Sequence, residues 1–390
     1  MMKILKKTLK WVLLTVIFIV ILLYIFDYGY ILRGAKIVYF TGHNTAFIDD
    51  YPYFVNDTIA NSDHIDPWPT HKNYNTVNET RKLMQTNDDL GTIAFLIIKN
   101  DSIWFENYYD GFNDNSKTNS FSMAKSITTS LLGKAIMDGY IESLDQPISD
   151  FYPQYNYAKT TVGDLASMAS GLDWVEHYTS PFSVTARANY DDDLAETILN
   201  QKVIKTPGEE FEYLSGNTQL LGMIIQKATR VPLAKYLSDS FWKPMGARQN
   251  ALWQLDDSEH RLAKAFCCIS SNARDFARFG KLYKDGGNWK GKQLLDSAFV
   301  KKSITPRFKK DPIYGYGWWL GEYVNKNFFM MRGHLGQYVL VQPEDNIIIV
   351  RLGHRKSPDA GHGVGKFTND IQIYIEEAYK MLKNDKQAQS

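Results

Sequence analysis

The chain has 390 residues, 44% apolar and 14% aromatic, which is ample for one large domain or two smaller ones. Its 44 basic and 43 acidic residues leave a formal charge of +1, which excludes a dedicated polyanion-binding surface and nucleic acid as a partner. The only two cysteines, Cys267 and Cys268, are adjacent and poorly spaced for an unstrained bridge, which excludes a disulfide framework and a cysteine-rich zinc site.

The amino terminus carries Lys3, Lys6, Lys7 and Lys10, followed by an unbroken apolar run from Trp11 to Phe26. At ~1.5 Å per residue the stretch Trp11–Leu32 is long enough to cross a hydrocarbon core of ~30 Å. Residues 1–33 are therefore expected to form a cytoplasmic tail and a transmembrane signal anchor. The lysines favour the amino end in the cytoplasm, with the folded domain on the extracytoplasmic side of a single-pass membrane protein. The rival expectation is a cleaved signal leaving a secreted or periplasmic protein, although no A-x-A site follows the run.

Residues 34–87 are polar, rich in Asp, Asn, Thr and Pro, and are expected to be an extended lead-in with little regular structure. The runs Thr92–Lys99 and Ser102–Tyr109, separated by Asn100-Asp101, predict a β-hairpin. A helix opens at Phe121-Ser122-Met123-Ala124-Lys125 and stops at Asp138-Gly139. Residues of about 140–290 predict a mainly helical lobe. It includes a capping-box-like start at Thr161 and Asp164 and helical apolar spacing over Asn217–Thr229 and Ala273–Asp285. Four strands follow, at Tyr314–Leu320, Asn327–Arg332, Gln337–Gln342 and Ile347–Leu352, and then an amphipathic helix over Phe367–Lys383. Strands from both ends can share one antiparallel sheet, flanked by helices and joined to the helical lobe. The expected class is α+β, with the working domain at 88–385.

A serine hydroxyl is a poor nucleophile at neutral pH and needs a base and a place for the developing oxyanion. Ser122 and Lys125 are three apart at a helix start, so their side chains share one face, near unpaired N–H groups. A lysine kept neutral by desolvation can take the serine proton. The spacing alone is equally that of a helix cap and a solvated lysine. It recurs at Ser240 and Lys243, where Pro244 argues against a helix running through Lys243. No His-Glu-x-x-His or comparable metal spacing occurs, and Gly361-His-Gly-Val-Gly365 lacks the setting of a nucleotide loop, so neither a metal nor a cofactor is expected. No Gly-x-Ser-x-Gly elbow occurs, which argues against an α/β-hydrolase.

The blocks FSMAKSITTSLLGKAIMDGYIESLDQPISDFYP, TVGDLASMASGLDW, PGEEFEYLSGNTQLLG, ARDFARFGKLYKDGG, YGYGWWLG and GHLGQYVLVQPEDNIIIVRLG occur in that order. Together they resemble the serine β-lactamase-like superfamily over about residues 88–380, and most closely its class C-like esterase and aminohexanoate-oligomer hydrolase branch. The resemblance implies a β-lactamase/transpeptidase-like fold, with Ser122 as nucleophile, Lys125 as its paired base and Tyr213 as a further acid–base group. Ser215 stands where an Asn often does. His334-Leu335-Gly336 replaces the usual Lys-Thr-Gly, and the backbone N–H groups of Ser122 and Gln337 map to the oxyanion hole. Gly336 would let substrate approach the strand closely. Tyr323-Val324-Asn325 fits the Tyr-x-Asn pattern but falls among the late strands and reads as a decoy. A mostly neutral His334 in place of a fixed cation weakens carboxylate binding and favours small-molecule esters or amides over penicillins, and it is equally compatible with a structural histidine. Two functions follow: a membrane-anchored serine hydrolase working through an acyl-enzyme, or a penicillin-binding-protein-like sensor acylated with little turnover.

Overall fold

A computed structural model describes residues 1–358 and 367–387. Its centre is a six-stranded antiparallel sheet built from both ends of the domain. The strands are β1 (Thr92–Lys99), β2 (Ser102–Tyr108), β3 (Trp319–Tyr323), β4 (Lys326–Gly333), β5 (Gln337–Gln342) and β6 (Ile347–Gly353), in the spatial order β2-β1-β6-β5-β4-β3. The Asn100-Asp101 hairpin forms as expected, with both turn residues at positive φ, and β6 pairs with β1 from Ile347 opposite Lys99 to Gly353 opposite Thr92.

Both faces of the sheet are buried, which the near-continuous apolar runs require. Ala94, Leu96, Ile98, Val339, Val341, Ile348 and Val350 face one core, while Phe95, Ile97, Leu340, Ile347 and Ile349 face a second. Seven helices are used below: α1 (Met2–Ile25), α2 (Gly29–Val38), α3 (Met123–Met137), α4 (Val184–Tyr190), α5 (Ser215–Thr229), α6 (Ala273–Lys284) and α7 (Asn369–Gln387). Helix α6 covers the first face, close enough that a Cβ on Gly280 would stand 2.9 Å from Val339 Cγ1. Ile371, Tyr374, Ile375, Ala378 and Met381 of α7 cover the second. The α+β architecture, with an antiparallel sheet flanked by helices, is the expected one.

Four local expectations need correction. The lead-in is not merely extended: it holds the end of α2, which begins at Gly29 within the expected anchor segment, a strand at Asn56–Ile59 and a helix at Arg81–Asp89 capped by the Thr80 side chain. Its polar residues bond to the domain rather than to solvent, as when Asn119 and Gln254 both donate to Asp50 Oδ1, at 2.9 and 2.7 Å. The helical lobe also contains strands Ala251–Gln254 and Ile269–Ser271, which form a small sheet with Asn56–Ile59 and Thr118–Asn119. The helical turn around Ser240 ends at Trp242, before Lys243 and Pro244, as expected; Lys243 pairs with Asp239 at 2.8 Å. Cys267 and Cys268 are joined to each other, with Cys268 at φ +73°, so adjacency did not prevent a local bridge. The strand expected at Tyr314–Leu320 begins only at Trp319, after a tight turn across which Tyr314 and Trp319 pair. The Thr161–Asp164 capping box forms as expected, and Gly361–Gly365 lies outside the described residues.

Candidate active site

Ser122 lies where a short strand meets α3. The chain arrives along Thr118–Asn119, fixed by Asn119 N–H to Ile48 O and Ser120 N–H to Ile269 O, at 2.6 and 2.7 Å. It then turns through Phe121 at φ +45°, a left-handed backbone that a bulky residue adopts only when its surroundings impose it. That turn puts Ser122 at the N-cap of α3, half-buried, with its hydroxyl making no capping hydrogen bond and so left for other work.

Lys125, one turn along, has 1% of its surface exposed. Its Nζ donates to Ser122 Oγ at 3.0 Å and to the Phe266 carbonyl at 3.0 Å. It also lies 5.1 Å from the Tyr213 ring centroid and 5.6 Å from that of Phe266. Burial brings the Lys125 ammonium down to about 8, against the Glu176 carboxylate, which favours the charged form. Tyr213 stands on the segment leading into α5, its ring 4.9 Å from Trp319 and edge-on to Tyr314 at 6.1 Å. Burial pushes its phenol well above the usual range, partly offset by the neighbouring Ser122 side chain. Ser122 and Lys125, one helical turn apart, thus share one site with Tyr213, which is distant in sequence.

The remaining expected residues surround this trio. Ser215 opens α5, but both its N–H and its hydroxyl donate to Glu176, each at 2.7 Å. Glu176 also accepts from Trp174 Nε1 at 2.9 Å and Tyr178 OH at 2.5 Å. A carboxylate facing a helix amino terminus is favoured by both the exposed N–H groups and the dipole. His334 stacks on Tyr178 at 5.8 Å and meets Phe121 edge-on at 5.4 Å. Burial, aided by the Lys356 charge, lowers it to about 4, so the imidazole is neutral at ordinary pH. Its Nε2 is buried without a hydrogen-bond partner among the described residues.

Gly336, at φ +86°, has a further structural reason for being glycine: a Cβ there would lie 2.3 Å from Arg351 Nη1. Arg351 in turn binds the carbonyls of Leu335 and Gly336 at 3.0 and 2.9 Å. Gln337 opens β5, and its buried side chain donates to the carbonyls of His334 and Gly353, at 3.1 and 2.7 Å. Tyr323, the decoy, sits at the β3–β4 hairpin with Val324 and Asn325 in the left-handed region, and its hydroxyl bonds Glu376.

Sequence reasoning missed Glu176, Tyr178 and the Phe266 carbonyl. Glu176 lies 39 residues from Ser215, a spacing that no local pattern marks, and a backbone carbonyl has no sequence signature at all. Glu176→Gln is expected to lower unfolding free energy by about 2 kcal/mol, because the amide turns two N–H donors toward groups that are themselves donors. A wild-type denaturation midpoint in that variant would show that the charge organises nothing.

A family model described as Beta-lactamase matches residues 80–368. The 6-aminohexanoate-dimer hydrolase of Paenarthrobacter ureafaciens is 26% identical over 309 residues, which is 73% of this chain and 78% of that protein. A candidate 6-aminohexanoate-dimer hydrolase structure from Bacillus anthracis superimposes with a TM-score of 0.71 and 20% identity, covering 91% of this chain and 95% of that one. The D-amino acid amidase from Ochrobactrum anthropi SV3, complexed with L-phenylalanine amide, gives 0.58 and 17% identity over 79% of this chain and 99% of its own. These two structural likenesses speak to the fold.

Proposed function

The chain belongs to the beta-lactamase family, and from that premise we propose that it is a membrane-anchored serine hydrolase cleaving esters or small amides through an acyl-enzyme on Ser122. One observation carries this reading: a buried amine with its affinity for protons brought down to about 8 lies 3.0 Å from a half-buried hydroxyl. The named activity of the sequence relative, a 6-aminohexanoate-dimer hydrolase, points the same way.

Neutral Lys125 takes the proton as Ser122 Oγ attacks the substrate carbonyl carbon. The resulting oxyanion accepts hydrogen bonds from the backbone N–H groups of Ser122 and Gln337. As the tetrahedral intermediate collapses, Tyr213 donates its proton to the departing oxygen or nitrogen and recovers one from the Lys125 ammonium. Water then attacks the acyl carbon by the reverse path, returning the proton to Ser122. Lys125 rather than Tyr213 is the initial base, because burial eases proton loss from an ammonium and disfavours a phenolate. His334 and Ser215 are assigned to the substrate-binding wall, where a neutral imidazole suits an uncharged ester or amide better than a carboxylate.

Anchoring is assigned to α1, 24 residues long, apolar and unburied, with Lys3, Lys6, Lys7 and Lys10 favouring the amino end in the cytoplasm. The reading is tested with p-nitrophenyl acetate and the full-length protein. Sustained turnover is expected, and a single stoichiometric burst with a stable adduct would identify a sensor instead. Tyr213→Phe is expected to cut the acylation rate by ~10²-fold, the usual scale for a positioned acid–base group, read by stopped-flow absorbance. An unchanged rate would remove Tyr213 from the proton path.

A further inference from the structure

The wall of the candidate site is built on the segment of chain that leaves the membrane helix. Arg187 of α4 donates to the Asp27 carboxylate at 2.6 Å and to the Asp27 carbonyl at 2.5 Å. Its guanidinium also lies 5.8 and 4.7 Å from the ring centroids of Tyr28 and Tyr30. Phe182 meets Tyr28 edge-on at 5.6 Å. Further along, Gly34 of α2 lies against the Tyr190 ring, which a Cβ would approach to 3.0 Å, and Arg33 donates to the Asp256 carbonyl at 2.7 Å.

The same short stretch reaches the site. Thr185 of α4 accepts from His177 N–H at 3.1 Å and donates to the Val175 carbonyl at 3.3 Å, tying α4 to the strip that holds Glu176 and Tyr178. Glu176 binds the start of α5, and Tyr178 stacks on His334. Contacts therefore run without a break from Asp27 to the groups beside Ser122.

The placement has a metric consequence. Tyr28 is three residues past the end of α1, so at ~3.5 Å per residue it lies within about 10 Å of that helix end. A bilayer carries a headgroup layer of roughly 5–8 Å on each side of its hydrocarbon core. Phe182, in contact with Tyr28, is thus brought close to that layer. The rim beside it is apolar and open, with Val175 67%, Tyr178 56% and Phe182 65% exposed. Tyr24, Ile25 and Phe26, also exposed, continue the apolar surface onto α1. Aromatic side chains at such a level are what a membrane interface selects.

We propose that the rim formed by Val175, Tyr178 and Phe182 rests on the bilayer surface, and that the substrate is an amphiphile, an ester or amide bearing a long apolar chain that stays in the lipid while its carbonyl reaches Ser122. This rests on the reading of the chain as a membrane-anchored serine hydrolase and adds its substrate class. The bond cleaved and the proton path are those given above; only the source of the substrate is new.

The test uses full-length protein in single-copy phospholipid nanodiscs with two probes, soluble p-nitrophenyl acetate and p-nitrophenyl palmitate dissolved in the same bilayer. Phe182→Glu is expected to lower kcat/KM for the palmitate at least ~10-fold, as fits loss of one buried aromatic contact with lipid, and to leave the acetate unchanged. Phe182→Leu is expected to keep both. Equal change in both rates, or change in neither, would overturn the proposal. So would palmitate turnover that appears only when two copies share a disc, because the rim would then join protein to protein. Failure of the underlying hydrolase reading is a separate result: the acetate would not be turned over, or would be turned over as fast by Ser122→Ala.

Discussion

Ser122→Ala is expected to abolish turnover of p-nitrophenyl acetate by at least ~10³-fold, because removing the nucleophile leaves only binding and electrostatic stabilisation. It is also expected to leave the fold intact. Ser122 occupies the N-cap of α3, yet its hydroxyl makes no capping bond, so the usual loss of about 1 kcal/mol on replacing a cap serine does not apply. The hydroxyl accepts from Lys125 Nζ at 3.0 Å, and the Tyr213 ring lies 5.1 Å from the same Nζ, so both groups that the proposed proton path requires are at hand. The variant should therefore separate chemistry from stability. A dead enzyme with a wild-type melting temperature is the expected result, and an active one would send the search for the nucleophile elsewhere.

Lys125→Met is expected to reduce the acylation rate by ~10²–10⁴-fold, the range for loss of a general base. The wild-type acylation rate should rise with pH through a midpoint of about 8, as Lys125 sheds its proton, and that limb should vanish in the variant. Stability should rise with pH as well, over a higher window. The folded chain holds Lys125 at about 8, against ~10.4 for a free lysine, so the unfolded chain binds more protons between those values. Below pH 8 burial of the amine then costs folding up to about 3 kcal/mol, a cost that fades as pH rises toward 10. Met removes it, while depriving the Phe266 carbonyl of a donor, a loss of about 1–3 kcal/mol. The variant should thus be about as stable as wild type at pH 7 and should lack the wild-type gain between pH 8 and 10. Denaturant titrations at both pH values measure this. Equal pH dependence in the two proteins would mean that Lys125 is not the desolvated group.

Both predictions act on a pair that sequence spacing could nominate but not qualify. Ser240 and Lys243 show the same spacing, yet Lys243 lies just past the helix end and turns to Asp239 at the surface. Lys125 instead sits beneath Tyr213 and Phe266, away from water. The two candidates differ in desolvation, which depends on what packs over a side chain and not on the residue three positions away.

The apolar runs of β1, β5 and β6, the Asn100-Asp101 turn, the Thr161–Asp164 cap and the apolar stripe of α6 were legible because each rests on contacts within a few residues. Spacing at a helix start nominated Ser122 and Lys125, and the resemblance of the ordered blocks to a known superfamily added their roles and Tyr213. Only the tertiary structure decided that the lead-in packs on the domain, with Asp50 accepting from Asn119 and Gln254, and that Asp27 and Arg33 before it bond Arg187 and the Asp256 carbonyl. It alone revealed Glu176 as the anchor of α5, and it showed Gly336 packed against Arg351. Each of these turns on a charge or a carbonyl meeting a partner tens of residues away. Such pairings are fixed by how helices and sheets pack, a three-dimensional arrangement that local residue order does not encode.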